Sequence, residues 1–335
     1  MYPAIQGLLT IALGVVGCLG YFYLSNWLLD RVFLPAKGQN IGRNINLANA
    51  VRPWLFLGPA LLALGLYLAY PVFETMRLSL FERTAGGGYN WVGPDNYVQM
   101  FAEPKFWEAM RNNMLWLIVV PAFSTAFGLV VAQLADRISW GNIAKSLVFM
   151  PMAISFVGAS VIWKLVYDTR PADQEQIGVL NAIYLLLSDG DPQTWLTIPL
   201  WNNFLLMVVL IWIQTGFAMV VLSAALRGIP EETVEAAIID GANPFQIFFK
   251  IKVPQIWSTI LVVWTTITVT VLKVFDIVFA MTNGQWETQV LANYMFDKLF
   301  RANDWGVGSA AAMIIMLLVT PILVWNVINA RREVN

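Results

Sequence analysis

The chain is 335 residues long, 58% hydrophobic and 12% charged, with a formal net charge of −1 and a mean hydropathy of +0.64. A soluble domain is about half apolar and about a quarter charged, so lipid must solvate this much apolar surface, and the near-zero charge leaves no nucleic-acid footprint. With no histidine and a single cysteine, Cys18, the sequence excludes a disulfide framework, a thiol-ligated metal site and histidine-based acid–base chemistry.

A membrane-crossing helix needs roughly 20 apolar residues. Seven segments meet that length: residues 5–29, 53–72, 114–134, 144–166, 204–226, 256–281 and 310–328. The expected fold class is therefore all-α, a polytopic membrane protein of about seven transmembrane helices, because helices satisfy their own backbone in lipid. The first helix and its linker, residues 1–52, read as an addition to a transmembrane domain covering 53–335. Gly14, Gly17 and Gly20 form a small-residue strip on that first helix, a surface either for close helix contact or for lipid. The absence of basic residues in the first four positions and the long apolar run argue against a cleaved signal peptide.

Basic residues place the connections. Arg31, Lys37, Arg43 and Arg52 follow the first span, Arg137 and Lys145 lie between the third and fourth, and Arg331-Arg332 close the chain. If seven helices alternate, these share one side with the segment Arg227–Pro254. That side is expected to be the cytoplasm, with the N-terminus outside and the C-terminus inside. The loops on the other side are residues 77–111, 168–203 and 282–308, and the first two carry signals for small amphipathic helices around Tyr97 and Ile183.

Arg227–Pro254 is the longest charged, Gly/Pro-punctuated stretch between two spans. Pro230 suits a first helical position, and Glu231 and Glu232 complement the positive end of a helix dipole. Asp240-Gly241-Ala242-Asn243 is turn chemistry, and Pro244 restarts a helix that Pro254 is expected to stop. Such a compact hairpin is shaped to dock into a cleft of a partner protein.

Chemistry-bearing motifs are sparse. No phosphate-binding G-x-x-x-x-G-K-[ST] loop, nucleophile elbow, zinc spacing or paired-carboxylate constellation occurs, so the chain is not expected to be an enzyme. Polar residues within the spans are costly and therefore informative. Gln214, Thr270, Lys273 and Asp276 are candidates to line a polar path, with Phe217 offering a stacking face for a sugar ring. Against this stands a purely structural reading. Lys273 and Asp276 are three apart and can pair with each other, threonines in membrane helices bond their own backbone, and Lys164 can snorkel to the interface. Trp54, Trp163, Trp201 and Trp325 fall near span ends, as an interfacial belt requires.

Glu235-Ala236-Ala237, Asp240-Gly241-Ala242 and Ile251-Lys252-Val253-Pro254 resemble the EAA loop of bacterial ABC-importer permeases, with Val253 in place of the usual leucine. Residues 54–331 are similar to the maltose-type sugar permease branch. Val92-Gly93-Pro94-Asp95-Asn96-Tyr97 matches its signature after the second span, and Phe275-Asp276 and Thr282 match the end of the sixth. Asn283-Gly284-Gln285-Trp286 departs from the Gly-Gly-Pro usual there. Pro151 to Ser160 and Gln176-Ile177-Gly178-Val179-Leu180-Asn181 look most like alpha-glucoside permeases.

The resemblance implies a type I ABC importer permease fold and a set of partners: a second homologous permease, two ATPase subunits and an extracytoplasmic sugar-binding protein. It places Glu235 and Gly241 at the contact with an ATPase, within the coupling set Glu235, Ala236, Ala237, Asp240, Gly241, Ala242 and Pro254. ATP and magnesium would belong to the partners, and this chain is expected to hold no cofactor or metal. The cargo implied is a neutral alpha-linked di- or oligosaccharide. Glycerol 3-phosphate or another polyol derivative is the alternative cargo, and an ion-coupled secondary transporter or a structural subunit without a cargo path are the rival classes.

Overall fold

The computed structural model describes residues 3–33, 41–84, 86–188 and 190–334. Lys37 and the side chains of Arg43, Arg331 and Arg332, used above for orientation, lie outside that description. By contacts the chain divides into two compact units, Met1–Glu74 and Thr75–Asn335.

The first unit is a pair of helices, α1 (Pro3–Phe33) and α2 (Ile41–Leu64). Phe22 stacks on Phe56 with centroids 5.3 Å apart, and the Tyr21 hydroxyl donates to the Leu55 carbonyl at 2.8 Å. A Cβ added at Gly14, Gly17 or Gly20 meets nothing within 4 Å, so no described residue of this chain packs on that strip. A π-helical turn (Gly65–Ala69) and α3 (Tyr70–Leu78) follow.

The second unit opens with a small antiparallel hairpin that the all-α expectation did not contain. Strands β1 (Phe81–Arg83) and β2 (Tyr89–Trp91) pair Phe81 with Trp91 and Arg83 with Tyr89. Helix α4 (Asp95–Ala102) then leads to the long α5 (Pro104–Ala135). The fourth span is broken. Helix α6 (Gly141–Phe149) gives way to a single 3-10 turn at Met150–Ala153, and α7 (Phe156–Val166) leaves at 107°. Pro151 supplies no N–H for a continuing α-helix, Ile154 is extended, and Ser155 caps α7 by accepting from the Gly158 amide at 3.1 Å. The glucoside-permease-like run at 151–160 is therefore the break itself.

Helix α8 (Val179–Leu187) stands in the next loop, followed by α9 (Trp201–Arg227). Asn181 builds that loop: its amide donates to the Asp168 and Gln193 carbonyls, and its oxygen accepts from the Gln193 amide and Trp195 Nε1. At Gly178 a Cβ would lie 2.1 Å from the Asp168 carbonyl oxygen, so the second glucoside-permease-like run, 176–181, is scaffolding too.

Helix α10 (Glu231–Ile239) precedes a second helical arm. That arm runs through α11 (Pro244–Gln246), a π-helical turn (Ile247–Lys252) and α12 (Val253–Gln255), then bends by 71° into α13 (Trp257–Leu272). Helices α14 (Asp276–Met281), α15 (Leu291–Phe296) and α16 (Trp305–Val334) complete the unit. Among the described residues, five helices are long and apolar enough to cross a membrane, and counting each of the two bent pairs as one span gives seven, the expected number.

The core forms where α5 and α9 cross: Trp116, Val120 and Ala132 are fully buried against Leu206, Met219 and Leu222. In lipid such contacts hold by packing density rather than by escape from water. A second cluster, with Phe106, Ala109, Leu291 and Tyr294, ties the start of α5 to α15 and α16.

Candidate functional site

The hairpin is built from local signals. Helix α10 stops in a Schellman motif: the Ala242 amide donates to the Ala237 carbonyl at 2.9 Å, and the Gly241 amide to Ile238 at 3.0 Å. Gly241 takes φ +80°, which a side chain would strain. The second arm starts in a capping box, with Asn243 and Gln246 each accepting the other's amide at 2.9 Å. Two expectations change here. Pro230 stands one residue before the helix as its extended cap, φ −57° and ψ 131°, with Glu231 at the first helical position. Pro254 does not end the second arm but sits inside α12. The π-helical turn shifts the hydrogen-bond register so that the Val253 amide reaches the Phe248 carbonyl, and the helix passes the proline.

Glu235, Ala236, Asp240, Gly241 and Pro254 are exposed, Ala242 is half-buried, and Ala237 is buried. The tip adds apolar surface outside the EAA-like motif: Ile239 is 86% and Phe245 76% exposed. At the foot of the hairpin a cleft of about 700 Å³ is lined by Gln133, Arg137, Glu231, Glu235 and Lys252, with Asp136 and Arg227 on its wall. Asp136 accepts from Lys145 Nζ at 2.6 Å and from Arg227 Nη2 at 2.7 Å. Partial burial raises its pKa, but the hydrogen bonds and charges of Arg227 and Lys145 outweigh that and hold the carboxyl below its usual 3.8.

The candidate polar path does not assemble as one surface. Gln214 stands at the midpoint of α9, half-buried, and bonds no other described residue. Phe217, also half-buried, packs against the main core. Thr265, Thr266, Thr268 and Thr270 each donate to a carbonyl three or four residues back, the Thr270 hydroxyl to Thr266 at 3.1 Å. The sixth span ends at Leu272 rather than at 281, and α14 begins only at Asp276. Lys273 and Asp276 therefore lie on opposite sides of a helix break, and no ion pair joins them. Lys273 and Phe275 open instead onto a pocket of about 370 Å³ with Met295, Phe296 and Ile315. Lys164 has a specific acceptor, the Ala280 carbonyl at 3.2 Å, and so ties α7 to the end of α14.

Two further features were not visible in the sequence. A cleft of about 690 Å³ between α5, α6, α7 and α9 is lined by Phe123, Phe127, Trp163, Trp212 and Thr215, but not by Gln214 or Phe217. At the end of the bundle opposite the hairpin, buried asparagines clamp the loop that replaces Gly-Gly-Pro. Asn112 donates to the Glu287 and Gln289 carbonyls, Asn203 to Glu287, and Asn202 to Trp286. The clamped turn holds Asn283, Gly284, Trp286 and Glu287 at positive φ.

A broken fourth span, a bent sixth and a Schellman-closed hairpin between spans coincide with a match to the binding-protein-dependent transport system inner membrane component over residues 108–334. The chain belongs to that family. It is a multi-span permease subunit of an ABC importer. Over 99% of both chains it is 63% identical to the alpha-glucoside transport system permease protein AglF of Rhizobium meliloti. It is 50% identical to the osmoprotective compounds uptake permease protein GgtC of Synechocystis over 82% of this chain and 96% of that one. A solved bacterial ABC transporter involved in alginate import shares the fold, with a TM-score of 0.72 at 20% identity, covering 86% of this chain and 99% of that chain.

Proposed function

We propose that this permease carries a neutral alpha-linked di- or oligosaccharide, in an assembly with a second homologous permease, two ATPase subunits and an extracytoplasmic sugar-binding protein. The reading rests on one observation, the 63% identity over essentially the whole length to a protein named for alpha-glucoside transport. The hairpin faces the cytoplasm and the N-terminus lies outside, the orientation that puts Arg137, Lys145 and Arg227 on the inner side. The exposed coupling set Glu235, Ala236, Asp240, Gly241 and Pro254, with Ile239 and Phe245 beside it, docks into a cleft of one ATPase, where the ATP and magnesium are held. Closure of the ATPases then rocks the bundle between inward- and outward-open states. Along the path we assign Gln214 on α9, with Phe217, Thr270 and Lys273 as further contacts; Asp276, which does not line the Lys273 pocket, is left out. Lys273, the one charged residue lining that pocket, can donate to a cargo hydroxyl, and the scarcity of basic residues in the spans favours a neutral cargo over a phosphate ester.

The 50% identity to an osmoprotective compounds permease favours a second reading, a small compatible solute as cargo. Uptake of labelled alpha-linked disaccharide into proteoliposomes holding the whole transporter separates them. Competition by alpha-glucosides but not by phosphate esters supports the proposal. Uptake of a phosphate ester or an osmoprotectant that no alpha-glucoside competes with would overturn it.

A further inference from the structure

The hairpin hangs from the bundle by two joints. Gly228, Ile229 and Pro230 link α9 to α10, and Ile256, with φ −100° and ψ 15°, marks the bend into α13. Element-terminal residues of this kind are where a displaced segment swings while its neighbours stay behind. Apolar contacts at the first joint, through Leu226 and Ile229, hold position but are non-directional.

Asp136 supplies the direction. It follows the last residue of α5, and its Oδ1 accepts from both Nε (3.1 Å) and Nη2 (2.7 Å) of Arg227, the last residue of α9. The same oxygen accepts from Lys145 on α6, whose ammonium also bonds the buried Ser223 on α9. One carboxylate thus joins three helices at the residue from which the hairpin departs. The Asp136 and Lys145 side chains are only 26% and 15% exposed, so solvent screens their half of the network little, whereas Arg227 is 61% exposed. A network of charge-assisted bonds fixes orientation as well as distance.

We infer that Asp136 is a positioning residue for energy coupling: it locks the root of the hairpin to α5, α6 and α9, so that a push on the hairpin moves those helices instead of being lost as a swing at Gly228. The inference rests on the proposed docking of the hairpin onto an ATPase.

The test uses the whole transporter in proteoliposomes, measuring ATP hydrolysed and sugar imported together. Asp136→Asn is expected to retain the ATPase subunits and to hydrolyse ATP while sugar imported per ATP falls about tenfold, within the usual range of a coupling free energy. Asp136→Glu is expected to recover most of that ratio. Arg227→Gln, which leaves Lys145 and Ser223 in place, is expected to lower it by a smaller factor. A wild-type ratio in Asp136→Asn, or a proportional loss of hydrolysis and import that reports damage to the fold, would overturn the inference. If Asp136→Asn does not assemble, Arg227→Gln decides, and an unchanged ratio there sinks the idea. Failure of the docking reading is separate: it shows as Gly241→Trp retaining hydrolysis and uptake, whatever the Asp136 variants do.

Discussion

Asn112 and Glu287, 175 residues apart, are joined by a 2.8 Å hydrogen bond from the Asn112 amide to the Glu287 carbonyl. The bond holds Glu287 at φ +61°, a conformation that costs a non-glycine residue about 1 kcal/mol or more. Asn112→Ala deletes this bond and the one to the Gln289 carbonyl, which loses its donor, while Asn203 alone is left to donate to Glu287. The expected loss is about 1–3 kcal/mol, seen as a lower melting temperature of the purified permease in detergent. Glu287→Gly keeps the carbonyl and relieves the strain. It also removes the Arg111 pair, whose partners are both more than half exposed and which therefore contributes little. That variant should melt at or above the wild-type temperature.

The contrast between this loop and the hairpin shows what the sequence could reveal. The Schellman stop and capping box involve residues within six positions of one another, so Asp240 to Gln246 is readable from local turn chemistry alone. Asn112, Asn203 and Glu287 meet only after three distant segments have packed, so their pairing is not readable from local sequence. Gln214 was readable because an amide at the centre of an apolar run is conspicuous. The Lys273–Asp276 pair was misread because spacing on a helix presumes that the helix continues, and it breaks at residues 273–275. The glucoside-like runs at 151–160 and 176–181 were legible as patterns but not as a span break and a loop scaffold. Backbone amides and carbonyls do that work, and they leave no trace in residue type beyond proline, glycine and asparagine.

Ile239 and Phe245 stand out at 86% and 76% exposure on the hairpin tip. Exposed positions contribute little to the fold, so Ile239→Ser and Phe245→Ser should leave the melting temperature within experimental scatter. Apolar anchors at the centre of an interface cost about 2 kcal/mol or more when truncated. Co-purification of the ATPase subunits should therefore weaken by about tenfold or more in titrations. Retention at wild-type affinity in the double variant would remove these residues from the docking surface.

Lys273 opens onto a pocket and Asp276 does not line it, so their substitutions should separate. On the proposed assignment, Lys273→Met removes a charge-assisted hydrogen bond to a cargo hydroxyl, worth about 1.5–3 kcal/mol. The apparent KM for sugar uptake should rise by about tenfold or more with little change in assembly. Asp276→Asn keeps the size of the side chain at the start of α14 and should leave KM within about twofold. Equal effects from the two variants would mean that the residues act as a pair in the working transporter.

The Asp136 carboxyl is held below 3.8 by Arg227 and Lys145 against the opposing effect of burial. A carboxyl whose folded value is depressed stabilises the fold fully above its unfolded value. That contribution disappears as pH falls through the lower folded value. The difference in melting temperature between the wild type and Asp136→Asn should therefore be constant from pH 8 down to about pH 5. It should shrink below the ordinary carboxylate value of 3.8 and vanish once Asp136 is protonated in both states. A difference that already declines between pH 7 and pH 6 would mean that another titrating group controls this end of the bundle. The histidine-free sequence offers no ordinary candidate for that role.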